Sequence, residues 1–190
     1  MEIRTKSQVI LLNKVSQIFL VKSRIEHSRN KLYQAAYSWC HDRALAEDLV
    51  QECLLKALSS KSKLKDLKYL DTWLFRILIN TWHDYLKKQK NMENLDDYAF
   101  RSISDIENDY LTGELISMVR REISKLPIAL REVITLSDFS GFSYQEVGHI
   151  MAIPIGTVMS RLYKARRILE KRLIESTQPK PNIQYLRKVK

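Results

Sequence analysis

Apolar residues return every three or four positions over long reaches of this chain, and little interrupts them. Four glycines and four prolines are spread through 190 residues. A sheet protein needs many more turn formers, so the 3.6-residue period predicts an all-α fold. Hydrophobic residues make up 45% of the chain, enough for a packed core.

Composition shifts divide the chain into two small helical domains joined by a flexible acidic linker. Residues 1–22 form an N-terminal extension, expected to be helical at least in part and given no role. Residues 23–91 are the first domain, 92–112 the linker, 113–175 the second domain and 176–190 a basic tail. There is no internal repeat and no low-complexity tract. The linker carries Glu93, Asp96, Asp97, Asp105, Glu107 and Asp109 against Arg101. A solvated spacer explains it, as does a polymer threaded through a basic channel of a partner.

In the first domain, Ile25 to Cys40 places Leu32, Ala36, Trp39 and Cys40 on one side of a helix. Asp42 is the expected N-cap of the next helix, from Arg43 to Ser59, which buries Leu45, Leu49, Cys53 and Ala57 at steps of four. That leaves Asp48, Gln51, Glu52 and Leu55 together on a free face. Such an acidic stripe with one leucine suits a basic partner helix. A lysine-rich connection with Lys61, Lys63, Lys65 and Lys68 leads to a helix from about Tyr69 to Lys88. Along it, Leu70, Leu74, Ile77 and Thr81 point one way and Arg76, Asn80, His83 and Lys87 another. Phe75, Ile79, Trp82 and Leu86 make a further stripe, expected to be core or an inter-domain surface. A basic loop beside an amide-bearing helix face suits single-stranded DNA, with phosphates on cations and bases read by hydrogen bonds and stacking. Trp73 is either a stacking residue or core.

The second domain opens with a helix from Gly113 to Lys125, which Leu126-Pro127 breaks. A helix from Ile128 to Ser137 and a turn around Gly141 follow. Ser143 with Glu146 three residues on is a capping-box pattern. Tyr144, Val147, Ile150 and Met151 give that helix an apolar face. Ala152 to Gly156, with Pro154, is a tight break, and Thr157 is the expected N-cap of the last helix. There Val158, Leu162, Ala165, Ile168 and Leu169 point inward, while Ser160, Arg161, Lys164, Arg167 and Lys171 face out. A capped helix, a short turn and a basic helix predict a helix-turn-helix whose second helix enters the major groove. Arg161 and Lys164 suit phosphates or guanine edges.

The net charge of +10 agrees with a polyanion partner. The cysteines, Cys40 and Cys53, fall within apolar helical patterns and read as small buried hydrophobes of a reducing cytoplasm, so the protein is expected to be cytoplasmic. No run of about 18 apolar residues exists for a membrane span. The stretch from Val9 to Val21 lacks a small-residue cleavage site and does not read as a signal peptide. His27, His41, His83 and His149 are scattered. No catalytic constellation, phosphate loop, metal site or cofactor motif is found, and no enzyme is expected. The residues by themselves leave a stand-alone helix-turn-helix regulator open, and also a scaffold protein, though the latter needs no basic recognition helix.

Three stretches resemble the extracytoplasmic-function sigma factors, subunits that give bacterial RNA polymerase its promoter choice. Ala46 to Glu52 resembles that family's polymerase-binding helix. Thr72 to Asn80, with Asp84 and Leu86, resembles the helix that melts and reads the −10 element. Leu126-Pro127, Arg131-Glu132-Val133, Ser143 to Val147 and Gly156-Thr157-Val158 with Ser160-Arg161 resemble the −35-reading domain. The resemblance covers residues 23–175. It implies core polymerase as partner, through its clamp coiled coil and flap, with promoter DNA and an anti-sigma protein that can be membrane-anchored. It assigns Asp48, Gln51, Glu52 and Leu55 to polymerase and Lys63, Lys65, Lys68, Tyr69, Trp73, Arg76 and Asn80 to the −10 strand. To the −35 duplex it assigns Pro154, Gly156, Thr157, Met159, Ser160, Arg161, Tyr163, Lys164 and Arg167. Met159 departs from the pattern, because family members commonly carry a basic or polar residue there. A compact free form that covers its DNA surfaces would be silent.

Overall fold

Backbone capping sets where most helices of this chain begin and end. A computed structural model describes residues 23–60, 64, 66–92 and 114–177. The N-terminal extension, Lys63, Lys65, the acidic linker from 93 and the tail from 178 lie outside the described residues. A helical stretch at 23–27 leads through Ser28 into α1 (Arg29–Cys40). His41 ends α1 in the left-handed region at φ 53°, its N–H donating to Tyr37 O at 2.8 Å. Few side chains adopt that conformation, and histidine is among those enriched there. Asp42 then caps α2 (Arg43–Ser59), its carboxylate accepting from Leu45 N at 3.0 Å, as expected. Asp66 accepts from Lys68 N and starts a single 3₁₀ turn, Leu67–Tyr69, that feeds α3 (Leu70–Met92). The helix therefore begins one residue later than expected and runs four further, so the first residue assigned to the linker is helical.

α4 (Glu114–Ser124) and α5 (Ile128–Ile134) meet at Leu126-Pro127, where the chain breaks as expected. α5 is shorter than the pattern predicts. At Thr135–Phe139 the backbone widens into a π turn, and Gly141 at φ 75° completes the reversal. Thr135 and Leu136 are buried, so the apolar pattern continues unbroken while the hydrogen bonding changes. α6 (Tyr144–Met151) and α7 (Ile155–Thr177) follow, with α7 running two residues into the assigned tail.

Trp39, Leu32, Leu49, Cys53, Leu74 and Leu78 fill the core of α1, α2 and α3. Truncating such a residue to alanine costs about 2–5 kcal/mol. Cys53 is buried and Cys40 half-buried, both as free thiols. Burial pushes the Cys53 thiol up to about 12 and that of Cys40 to about 11. Val133, Leu136, Val147, Ile150, Val158, Leu162 and Ala165 fill the second core.

The two cores join. Phe75 of α3 meets Phe142 edge-on, ring centroids 4.8 Å apart. Glu132, only 3% exposed, accepts from Trp82 Nε1 at 3.1 Å and bonds His83 Nε2 at 2.9 Å. The stripe expected as core or inter-domain surface thus lies between the domains. Arg131, 1% exposed, donates to Trp39 O at 2.6 Å and to Leu126 O at 2.9 Å, and also to Ser124 O. A buried cation is costly unless its donors are satisfied. Burial lowers the Arg131 guanidinium to about 10, leaving it charged at neutral pH. Burial, helped by Arg131, also drops His41 to about 4, so that ring is neutral.

Candidate nucleic-acid interface

The helix-turn-helix is built from α6 and α7. Ser143 Oγ accepts from Glu146 N at 3.3 Å, and Glu146 Oε2 accepts from Ser143 N at 2.9 Å, closing the expected capping box. The hydroxyl of Ser143 holds the Glu146 carboxyl below its usual range. Ala152 then turns left-handed at φ 54°. A Cβ on Gly148 would come within 3.1 Å of Ile153 O, so glycine lets the turn fold tightly onto α6.

Thr157 does not cap α7. Pro154 O accepts from Thr157 N at 2.9 Å and from Val158 N at 3.1 Å, which puts Pro154 at the N-cap. Proline cannot offer a capping oxygen from its side chain, but its fixed φ sets the entry to the helix. Thr157 is half-buried in the first turn, and its carbonyl accepts from Ser160 Oγ.

Val158, Leu162, Ala165 and Leu169 anchor α7 inward. Ser160, Lys164 and Arg167 are exposed on its outer side, with Met159 53% and Tyr163 64% exposed beside them. Pro154, Ile155 and Gly156 are exposed at its start, and Arg161 sits half-buried on the flank. Arg167 places its guanidinium 5.9 Å from the Tyr163 ring centroid and Nη1 3.5 Å from its hydroxyl. The outer face thus mixes cations with two large apolar side chains. Arg166, absent from the sequence expectation, is a strut. It grips Asp138 through Nη2 at 2.6 Å and Nε at 3.0 Å and donates to Tyr144 Oη at 3.2 Å. This holds the Asp138 carboxyl below its usual range. Its spacing from Arg167 gives no hint of this, because the partner lies 28 positions away.

Tyr69, at the end of the 3₁₀ turn, and Trp73, Arg76 and Asn80 of α3 follow i, i+4, i+7, i+11 and form one row. Tyr69, Arg76 and Asn80 are exposed, whereas Trp73 is half-buried and packed on the core. Lys68 lies over the Tyr69 ring at 5.7 Å. The stripe of Phe75, Ile79 and Trp82 sits roughly a third of a turn round the helix, so inter-domain packing leaves the row uncovered.

On α2, Asp48, Gln51, Glu52 and Leu55 are exposed, Leu55 at 66%. Lys56 Nζ pairs with Glu52 at 2.7 Å and donates to Thr81 Oγ1 at 3.1 Å, fastening this face to α3. An exposed leucine amid carboxylates fits a partner that offers cations around an apolar contact. Among the described residues no cluster suited to a metal ion occurs, and no helix is long and apolar enough to cross a membrane.

Two family models match the chain in this order: Sigma-70 region 2 over residues 24–92, and Sigma-70, region 4 over residues 116–169. The chain is 31% identical to the RNA polymerase sigma-H factor of Pseudomonas aeruginosa over 157 residues, 76% of this chain and 81% of that one. It is 36% identical to the ECF RNA polymerase sigma-E factor of Escherichia coli over 138 residues, 66% and 72% of the two chains. Among solved structures it is similar to the sigma factor RpoE in complex with the anti-sigma factor NepR from Bartonella quintana. That match has a TM-score of 0.62 and 26% identity, and covers 85% of this chain and 97% of the other. The fold is also shared with CnrH in complex with the cytosolic domain of CnrY, at a TM-score of 0.60 and 23% identity. With both regions present in order on the fold that carries them, this chain belongs to the extracytoplasmic-function sigma factors of the sigma-70 family.

Proposed function

We propose that this sigma factor docks on the clamp coiled coil of core polymerase through Asp48, Gln51, Glu52 and Leu55. Residues 23–91 then capture the −10 strand, with Lys63, Lys65 and Lys68 on phosphates and Tyr69, Arg76 and Asn80 on bases. Trp73, half-buried on the same row, adds a stacking surface for the strand. Residues 113–175 read the −35 duplex by laying α7 in the major groove. Pro154, Gly156 and Thr157 bring the helix start to the DNA backbone, Met159, Ser160 and Tyr163 meet base edges, and Arg161, Lys164 and Arg167 supply phosphate or guanine contacts. The polymerase supplies the nucleotidyl-transfer chemistry and this chain acts as its specificity subunit in the cytoplasm, not as an enzyme. An anti-sigma protein holds it silent, as the similar RpoE was solved with NepR.

One observation carries this reading. A single chain displays an acidic, leucine-centred face on α2, an aromatic, cationic and amide row on α3, and a basic helix-turn-helix. A stand-alone regulator needs only the last. Reversing Asp48 and Glu52 to lysine is expected to weaken the binding of core polymerase while binding of −35 duplex by the free chain stays as in the wild type. Equal polymerase affinity in pull-down titrations would remove this face from the interface.

A further inference from the structure

Beside the α3 row lies a cleft of about 390 Å³ between the first helical stretch and the turn that starts α3. Arg24, His27 and Lys31 reach it at helical steps from one side, and Lys68 from the other. Three permanent cations thus meet there with one carboxylate, Asp71. That carboxylate is already engaged, accepting from Ser28 Oγ at 3.2 Å and Lys31 Nζ at 3.3 Å. Arg24 and Lys68 make no ion pair with the described residues. Three cations against one carboxylate leave the cleft net positive, which raises the local potential and favours an anion. Leu67 and the buried Leu70 add an apolar lining. The volume falls in the range of small-ligand clefts. Lys68 borders both surfaces, since the same side chain lies over the Tyr69 ring.

We propose that this cleft seats one nucleotide of the displaced promoter strand, next to the one met by Tyr69. Its phosphate rests on Arg24 and Lys31, Lys68 bridges the two seats, and the sugar or base lies against Leu67 and Leu70. A cationic groove that tracks the backbone beside a stacking residue is how single strands are held without duplex contacts. The proposal rests on the −10 reading given above.

The test uses holoenzyme reconstituted from core polymerase and the full chain. Forked promoter DNAs carry a non-template strand trimmed nucleotide by nucleotide through and past the −10 element. Wild type, R24Q, the double variant R24Q/K31Q, and Y69A are titrated against salt. For wild type, affinity is expected to step up at the length that fills the cleft. R24Q should reduce that step and the double variant should abolish it, the slope of log affinity against log salt falling by about 0.7 for each phosphate no longer neutralised. Shorter forks should bind wild type, R24Q and R24Q/K31Q alike, which shows that folding and polymerase assembly are intact. If R24Q and R24Q/K31Q keep the step and the slope while Y69A binds every fork more weakly, the cleft is not a strand seat but the −10 reading survives. If Y69A also binds as wild type, the −10 reading fails and this proposal with it.

Discussion

Met159 and Lys164 sit within two turns of one another on α7 and are both exposed, yet their chemistry separates what they contribute. A lysine meets phosphate as a point charge and releases counter-ions on binding. A thioether gains only from apolar contact, and in a major groove the apolar partner is the thymine methyl. Lys164→Ala is therefore expected to weaken every −35 sequence and to lower the salt slope by about one. Met159→Ala should leave the slope unchanged and reduce discrimination at one base pair only. Titrating both variants on −35 duplexes, with thymine replaced by uracil position by position, checks this. If Met159→Ala moves the slope or weakens all sequences alike, the side chain has a structural role. Arg166 adds a lesson at the same scale. A cation on the exposed side of a recognition helix is not automatically a DNA contact, because its guanidinium is committed to Asp138 and Tyr144.

At the level of elements, the boundaries set by local chemistry were legible in the sequence and those set by tertiary packing were not. Asp42 and the Ser143–Glu146 box cap their helices as expected, since a cap needs only residues within one turn. The role given to Thr157 passes to Pro154, because the turn from Ala152 brings Pro154 O, not the threonine hydroxyl, to the free N–H groups. The π turn at 135–139 escapes a pattern reading, because its buried residues keep the period of the helix before it. The α2 face was legible from spacing alone, as were Arg76 and Asn80 on α3. Tyr69 and Trp73 came from the family resemblance, and His83, placed with Arg76 by spacing, turns instead to Glu132. The burial of Glu132 was not legible, because its partners Trp82 and His83 lie about 50 positions away. The turn itself is testable. Gly148→Ala is expected to destabilise the chain by about 1 kcal/mol. Crowding against Ile153 O costs roughly 1–3 kcal/mol, and better helix propensity returns up to about 1. Ser143→Ala should cost about 1 kcal/mol through removal of the cap. Urea unfolding of each variant reads both, and a Gly148→Ala chain more stable than wild type would mean that the turn has room to spare.

At the scale of the whole molecule, the inter-domain contact stands against the working state. The −10 and −35 elements lie about 25 base pairs apart, roughly 85 Å at 3.4 Å per step. A packed chain of this length has a radius of gyration of about 16 Å. One molecule reads both elements only if α3 parts from α5 and α6, which breaks the bonds from Trp82 and His83 to Glu132 of α5. The packed arrangement is therefore expected to open on promoter DNA. The bond from Glu132 raises His83 above its ordinary value, against burial and Lys87, with Asp84 adding to the rise. Because the packed form holds the proton more tightly, His83 favours it fully below about pH 6.5. That contribution fades as the pH climbs through the raised value. Energy transfer between dyes on the two domains is expected to fall as pH rises through this window. Glu132→Gln should lower it throughout and flatten the dependence. A wild-type signal flat with pH would show that His83 does not couple to domain packing.

Whether one chain joins polymerase docking to bipartite promoter reading is decided by transcription itself. Core polymerase is mixed with the purified chain and a library of promoter DNA, and transcripts are sequenced. Discrete start sites are expected that appear only with the chain, lie downstream of paired −35 and −10 sequences, and vanish when either element is scrambled. Tight duplex binding by the chain alone, without any transcript that depends on it, would instead make the chain a DNA-binding regulator that does not direct the polymerase.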